Sequence, residues 1–206
     1  MKTAIMMAAG VAVLVGCATQ LPENERKARA ETMFREGFSK GDQQMAARVV
    51  RQDETQAVCS KYSQGVPRDV AAAIEKSQQA TIKYPASGKL VGDWREGEKI
   101  AQDGWGLRFT DTGQPDRKNG GNCYACHQLA LQELSYGTLG PSLYQFGKLR
   151  GYTDEMRKYA YGKVYNAQAY NACSSMPRLG HNGVLTEQQI ADVVALLMDP
   201  DSPVNK

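Results

Sequence analysis

Apolar residues recur at helical spacing along most of this chain, and no run alternates with polar residues in the manner of a half-buried strand, so the pattern predicts an all-α fold. Residues 24 to 38 place Ala30, Met33, Phe34 and Phe38 on one face, with Gly37 close to the helix end. Asp42 can cap a second helix striped by Met45, Ala46, Val49 and Val50. Pro67 suits the first turn of a third, which runs through Val70, Ala73 and Ile74 toward Tyr84 and Pro85. These stripes are narrow. They predict helices laid over another surface, not a separate core, and Pro85 to Gly92, with Ser87 and Gly88, marks the boundary.

Beyond it the pattern is more closely specified. Asp93 and Glu96 read as a capped helix start, and Trp94, Gly97 and Ala101 share a face on which Gly97 is small enough to admit another helix. That partner is the last helix: Thr186 and Gln189 make a capping box, Ile190, Val193, Val194 and Leu197 form its stripe, and Asp199-Pro200 stops it. Between them, Thr153 to about Tyr165 gives an amphipathic helix striped by Met156, Ala160 and Val164.

The start of the chain reads differently. Lys2, then the apolar run Ala4 to Val15, then small residues, is an export signal too short to span a bilayer comfortably. Leu14-Val15-Gly16-Cys17 resembles a bacterial lipobox, in which Cys17 becomes the lipidated first residue; ordinary cleavage after Ala18 is the alternative. Either way the mature protein is expected in the periplasm, with a membrane lipid anchor if Cys17 is kept. The partition expected is 1–17 signal, 18–88 helical extension and 89–206 principal domain. A net charge of +3 over 206 residues, with both signs interspersed, leaves no basic stripe for nucleic acid.

The chemistry is concentrated in Gly121-Asn122-Cys123-Tyr124-Ala125-Cys126-His127, whose C-x-x-C-H is the attachment sequence of c-type haem. On a helical turn the two thiols share a face, where each can form a thioether to a haem vinyl group, and His127 turns under the ring as an axial iron ligand. A second C-x-x-C or an H-x-x-x-H that would complete a zinc shell is missing from the sequence. One covalent haem is therefore expected. Apolar residues at 42% fall slightly under the usual range, as expected if a buried porphyrin supplies apolar volume.

The iron then needs a sixth ligand or an open site. Only 2 histidines exist, so the candidates are His181 and a methionine. Met176 sits in the Pro-bearing loop Ser174-Ser175-Met176-Pro177 and is preferred; Met156 and Met198 are explained by packing on their helices. A ligating imidazole normally gives its other N–H to a carbonyl, and the Gly140-Pro141 turn, placed as in small cytochromes c, offers that of Pro141, an ordinary turn being the competing reading. Of 5 cysteines, Cys59 and Cys173 remain in an oxidising compartment, which suggests a disulfide; the alternative is two unpaired buried thiols.

The combination GNCYACHQ, GTLGPSL, MPRLGHNGVLT and DVVALLMDPDSPVN resembles the X subunit of the sulfur-oxidising (Sox) thiosulfate system, SoxX, over roughly residues 90 to 206. The resemblance implies a class I cytochrome c-like haem domain in which Cys123 and Cys126 bind haem c while His127 and Met176 are axial ligands. It also implies a heterodimer with a haem-bearing A subunit. That complex, an L-cysteine S-thiosulfotransferase, joins thiosulfate to a cysteine of a sulfur carrier protein. Electrons leave toward a downstream acceptor cytochrome. The lipobox and the helical extension go beyond the family's minimal pattern.

No nucleophile and base pair for bond making stands out in this chain, so catalytic residues are expected on the A subunit. The rival function is a free-standing periplasmic electron-transfer cytochrome c with no role in sulfur chemistry. A peroxidase would need an open iron with acid-base groups beside it, which the sequence does not display.

Overall fold

A computed structural model describes residues 21–38, 47, 51–108, 110–114 and 116–206. The export segment 1–17 with Cys17, and the helix expected after Asp42 with its Met45 to Val50 stripe, lie outside the described residues. The described helices are α1 (Glu23–Gly37), α2 (Glu54–Lys61), α3 (Arg68–Gln79), α4 (Trp94–Gln102), α5 (Phe146–Arg150), α6 (Asp154–Tyr165) and α7 (Glu187–Met198). Short 3₁₀ turns occupy Cys123–Ala125, Ala167–Ala169 and Pro203–Asn205. Among the described residues there is no strand, and the fold is all-α.

The crossing of α4 and α7 organises the rest. A Cβ on Gly97 would run into the carbonyl of Asp192 and approach the Leu196 side chain at 3.1 Å, so only glycine lets the two backbones come this close. Asp192, 7% exposed, then ties the crossing: its carboxylate accepts the Asp93 N–H at 2.9 Å and the Gln188 amide at 2.8 Å. The Asp93 side chain itself accepts from Arg95 N–H at 2.8 Å, whereas Glu96 faces Lys99 at 2.6 Å and does not complete a capping box. The Thr186–Gln189 capping box of α7 is complete.

Sequence spacing predicts one apolar stripe on α7, but every residue from Gln189 to Met198 is buried. The reason is that α4, α5, α6 and the C-terminal 3₁₀ turn all pack on it. Each fully buried Leu, Ile or Val there contributes about 1.5–3 kcal/mol relative to exposure. Asn205, 5% exposed, joins two helix ends: its amide donates to the carbonyls of Leu197 at 3.1 Å and Asp199 at 2.8 Å. Its Oδ1 accepts the Gly147 and Lys148 N–H groups at 3.0 and 3.1 Å. The C-terminal Ser-Pro-Val-Asn motif thus satisfies backbone groups that α5 and α7 leave unpaired.

α1 has no buried residue: Met33 is 65% and Phe34 47% exposed, and Phe34 stacks on Phe38 at 6.2 Å. α2 and α3 bury only Thr55 and Ile74 between them. Apart from a disulfide at Cys59 and the buried Ile74, what attaches α2 and α3 is polar. Asn166, fully buried, donates to Gln78 and Thr81 at 2.9 Å each, Gln78 donates to Thr55 at 3.0 Å, and Ala172 N–H reaches Glu75 at 3.2 Å.

Candidate haem site

The end of α4 delivers the chain to the site. Ile100 and Asp103 carbonyls accept the Gly121 and Asn122 N–H groups at 2.7 and 2.9 Å, so the run into Cys123 is pinned against the helix. Asn122 then takes φ 47, a left-handed conformation that asparagine tolerates better than most residues. From it starts the 3₁₀ turn Cys123–Ala125, closed by Cys126 N–H and His127 N–H on the Cys123 carbonyl at 3.1 and 2.9 Å. Such a turn nearly eclipses side chains three apart, so the two thiols stand on one side.

Cys123 and Cys126 form no disulfide with each other or with another described cysteine. Cys123 is part-exposed as a whole residue but packs against the core cluster, and desolvation pushes its thiol up to about 12. A reactive redox dithiol needs the opposite shift. Among the described residues no three His, Cys, Asp or Glu side chains cluster to hold a bare metal ion.

The segment from Gln128 to Leu143 folds back over this turn. Gly137 N–H donates to Tyr124, Gly140 N–H to Cys126 and Leu143 N–H to Gln128, each at 2.8 Å. The return brings the Pro141 carbonyl to 2.7 Å from His127 Nδ1. A carbonyl only accepts, so Nδ1 carries a proton, and Nε2 is the ring nitrogen that would ligate a metal. Gly140 lies against the same imidazole, and any Cβ there would collide with the ring. Two cysteines three apart beside a histidine oriented in this way fit a covalent haem: Cys123 and Cys126 would hold its edge and His127 would ligate its iron. When bound, such a group supplies reversible one-electron storage.

Met176 is part-buried, packs on the core cluster, and its N–H donates to Ser174 Oγ at 3.2 Å. His181 is exposed; partial desolvation and then the Arg178 guanidinium hold its imidazole below the ordinary value, with Asp53 opposing. Met156 is part-buried against the core, and Met198 is 2% exposed. Cys59 and Cys173 are bonded, with Sγ atoms 2.10 Å and Cα atoms 5.6 Å apart. The bridge joins positions 114 residues apart, and loop-closure entropy for such a span is on the order of 5 kcal/mol before strain is subtracted.

Periodicity alone did not mark α2, whose apolar residues Ala57, Val58 and Cys59 are consecutive and form no stripe. Its signal was chemical: Asp53 and Gln56 form a complete capping box, Asp53 accepting Gln56 N–H at 2.8 Å and Gln56 accepting Asp53 N–H at 2.9 Å. The other carboxylate oxygen of Asp53 binds Arg178, whose side chain is 8% exposed. Burial pushes the Asp53 carboxyl up, but the Gln56 amide and the Arg178 guanidinium outweigh it and hold it below the usual range.

Comparison with known proteins shows the family. The family model described as Cytochrome c matches residues 96–199, from within α4 to just past α7. A relative from Aquifex aeolicus (strain VF5), described as an uncharacterized lipoprotein, is 38% identical over 208 residues, covering 98% of this chain and 97% of that protein. The chain belongs to the cytochrome c family. Its fold and family make it an electron-transfer haem protein.

Proposed function

We propose that this chain is the monohaem X subunit of a Sox-type thiosulfate-oxidising complex, with residues 18–88 as a helical extension and 89–206 as the cytochrome domain. The observation that carries the electron-transfer part is the His127–Pro141 contact at 2.7 Å beside Cys123 and Cys126. The Sox assignment is supported by the motifs around Cys123, Pro141, Met176 and Asn205. In this reading Cys123 and Cys126 anchor haem c, and His127 and Met176 are the axial ligands. Pro141 holds the His127 tautomer, and the Met176 thioether favours the reduced metal.

Joining thiosulfate to a carrier thiol releases two electrons and a proton. The bond making belongs to the A subunit in this reading, since His127 and Met176 would both ligate the iron and leave no place on it for substrate. This chain's residues hold and orient the electron-storing group and exclude ligands from it. Leu131, Leu134 and Leu139, which are 64%, 100% and 89% exposed, lie on the segment that carries Pro141 and support a protein partner at this face. The lipoprotein description of the Aquifex relative supports a lipid anchor at Cys17 and a periplasmic site of action.

Purification from periplasm under mild conditions tests the assignment. Co-elution with a second haem-bearing chain is expected; elution alone favours the free-standing carrier.

A further inference from the structure

We propose that α2 is a two-point clamp on the segment carrying Met176, with Asp53 and Arg178 as positioning residues for the sixth ligand. This inference rests on the reading of Met176 as that ligand. At one end of α2, the Asp53 carboxylate binds Arg178, two residues after Met176. Toward the other end, Cys59 is bonded to Cys173, three residues before Met176. The ligand segment is therefore held on both sides by one short helix.

The segment's own bonding is slight, with Ser174 N–H on Asn171 at 3.0 Å and Met176 N–H on Ser174 Oγ at 3.2 Å. Segments with few backbone hydrogen bonds open locally at low free energy. Beside Met176 lies a cavity of about 360 Å³, walled by Gln56, Cys59, Cys173 and Arg178 among others. Three of the clamp residues, Cys59, Cys173 and Arg178, line it together with Met176.

The ionic anchor differs from an ordinary surface pair. Arg178 is 8% exposed and Asp53 41%, so the cation is the buried partner. A buried cation that loses its carboxylate is strongly unfavourable, and the segment must move to rehydrate it. Gln78 contributes a weaker contact to Arg178 at 3.4 Å and is itself held by buried Asn166 at 2.9 Å. Asp53 also caps α2, so the helix that bears Cys59 and the pair that holds Arg178 share one carboxylate.

The test is imidazole titration of the holoprotein, followed in the Soret band together with the near-infrared sulfur-to-iron band. Asp53→Asn keeps the cap, since asparagine caps as well as aspartate, and removes the charge. Arg178→Gln removes the buried cation itself. Both variants, and Cys59→Ala with Cys173→Ala, are expected to lower the half-saturating imidazole concentration. Combining Asp53→Asn with the cysteine pair lowers it by roughly tenfold, the part of a lost buried ion pair that reaches the ligand. Thr186→Ala, which weakens α7 away from the clamp, should leave it unchanged. Wild-type affinity in all clamp variants, with the band present, overturns the clamp alone. An equal shift in Thr186→Ala overturns it too, as a general loss of stability. A wild-type protein lacking the band overturns both the clamp and the Met176 assignment.

Discussion

His127 Nδ1 lies 2.7 Å from the Pro141 carbonyl, and the glycine preceding that proline touches the same imidazole. The site is thus held by close backbone approach, with no room at Gly140 for a side chain. Gly140→Val should push the imidazole off the carbonyl, destabilise the fold by about 1–3 kcal/mol and shift the reduction potential. Thermal unfolding and a redox titration check it; a wild-type potential in the folded variant would mean that the contact does not set the histidine's orientation.

Cys123 and Cys126 are expected to hold haem through denaturation. With both replaced by alanine, haem staining on a denaturing gel should vanish. Staining that persists would place the attachment elsewhere.

Met176→Ala should abolish the near-infrared sulfur-to-iron band and lower the potential, because a thioether ligand raises it. A band that survives the substitution would point to another methionine.

Asp53 carries a pH signature. Its carboxyl is held below the ordinary value of 3.8 in the folded protein. A depressed carboxyl stabilises fully above its unfolded value, and that contribution is lost as pH falls through the folded one. The denaturant midpoint of the wild type should therefore exceed that of Asp53→Asn at neutral pH, with the gap closing below about pH 4. A gap that stayed constant through this range would mean that the Asp53 charge is not its source.

How much of this was legible beforehand depended on whether the signal was periodic, chemical or tertiary. The α4–α7 crossing could be read because Gly97 is the one small residue where a helix must approach, and because Thr186 and Gln189 announce a start. The His127–Pro141 contact could be expected from the likeness of the Gly140-Pro141 turn to that of small cytochromes c, against an ordinary turn as the competing reading. Asp192 escaped notice because a lone aspartate beside an apolar stripe looks like a solvated position, and only the fold brings the α4 N-terminus onto it. Arg178 escaped for the same reason: 125 residues separate it from Asp53, and 100 from its other partner, Gln78.

The central claim is that this cytochrome receives electrons from thiosulfate oxidation within a heterodimer. The most direct measurement is the absorbance of its haem when thiosulfate and the sulfur carrier protein are added to the purified complex without air. The account predicts reduction that requires both thiosulfate and the carrier's thiol and stops when the A subunit is omitted. Haem that stays oxidised in the complete mixture, yet is readily reduced by a chemical reductant, would contradict it and leave a general electron carrier.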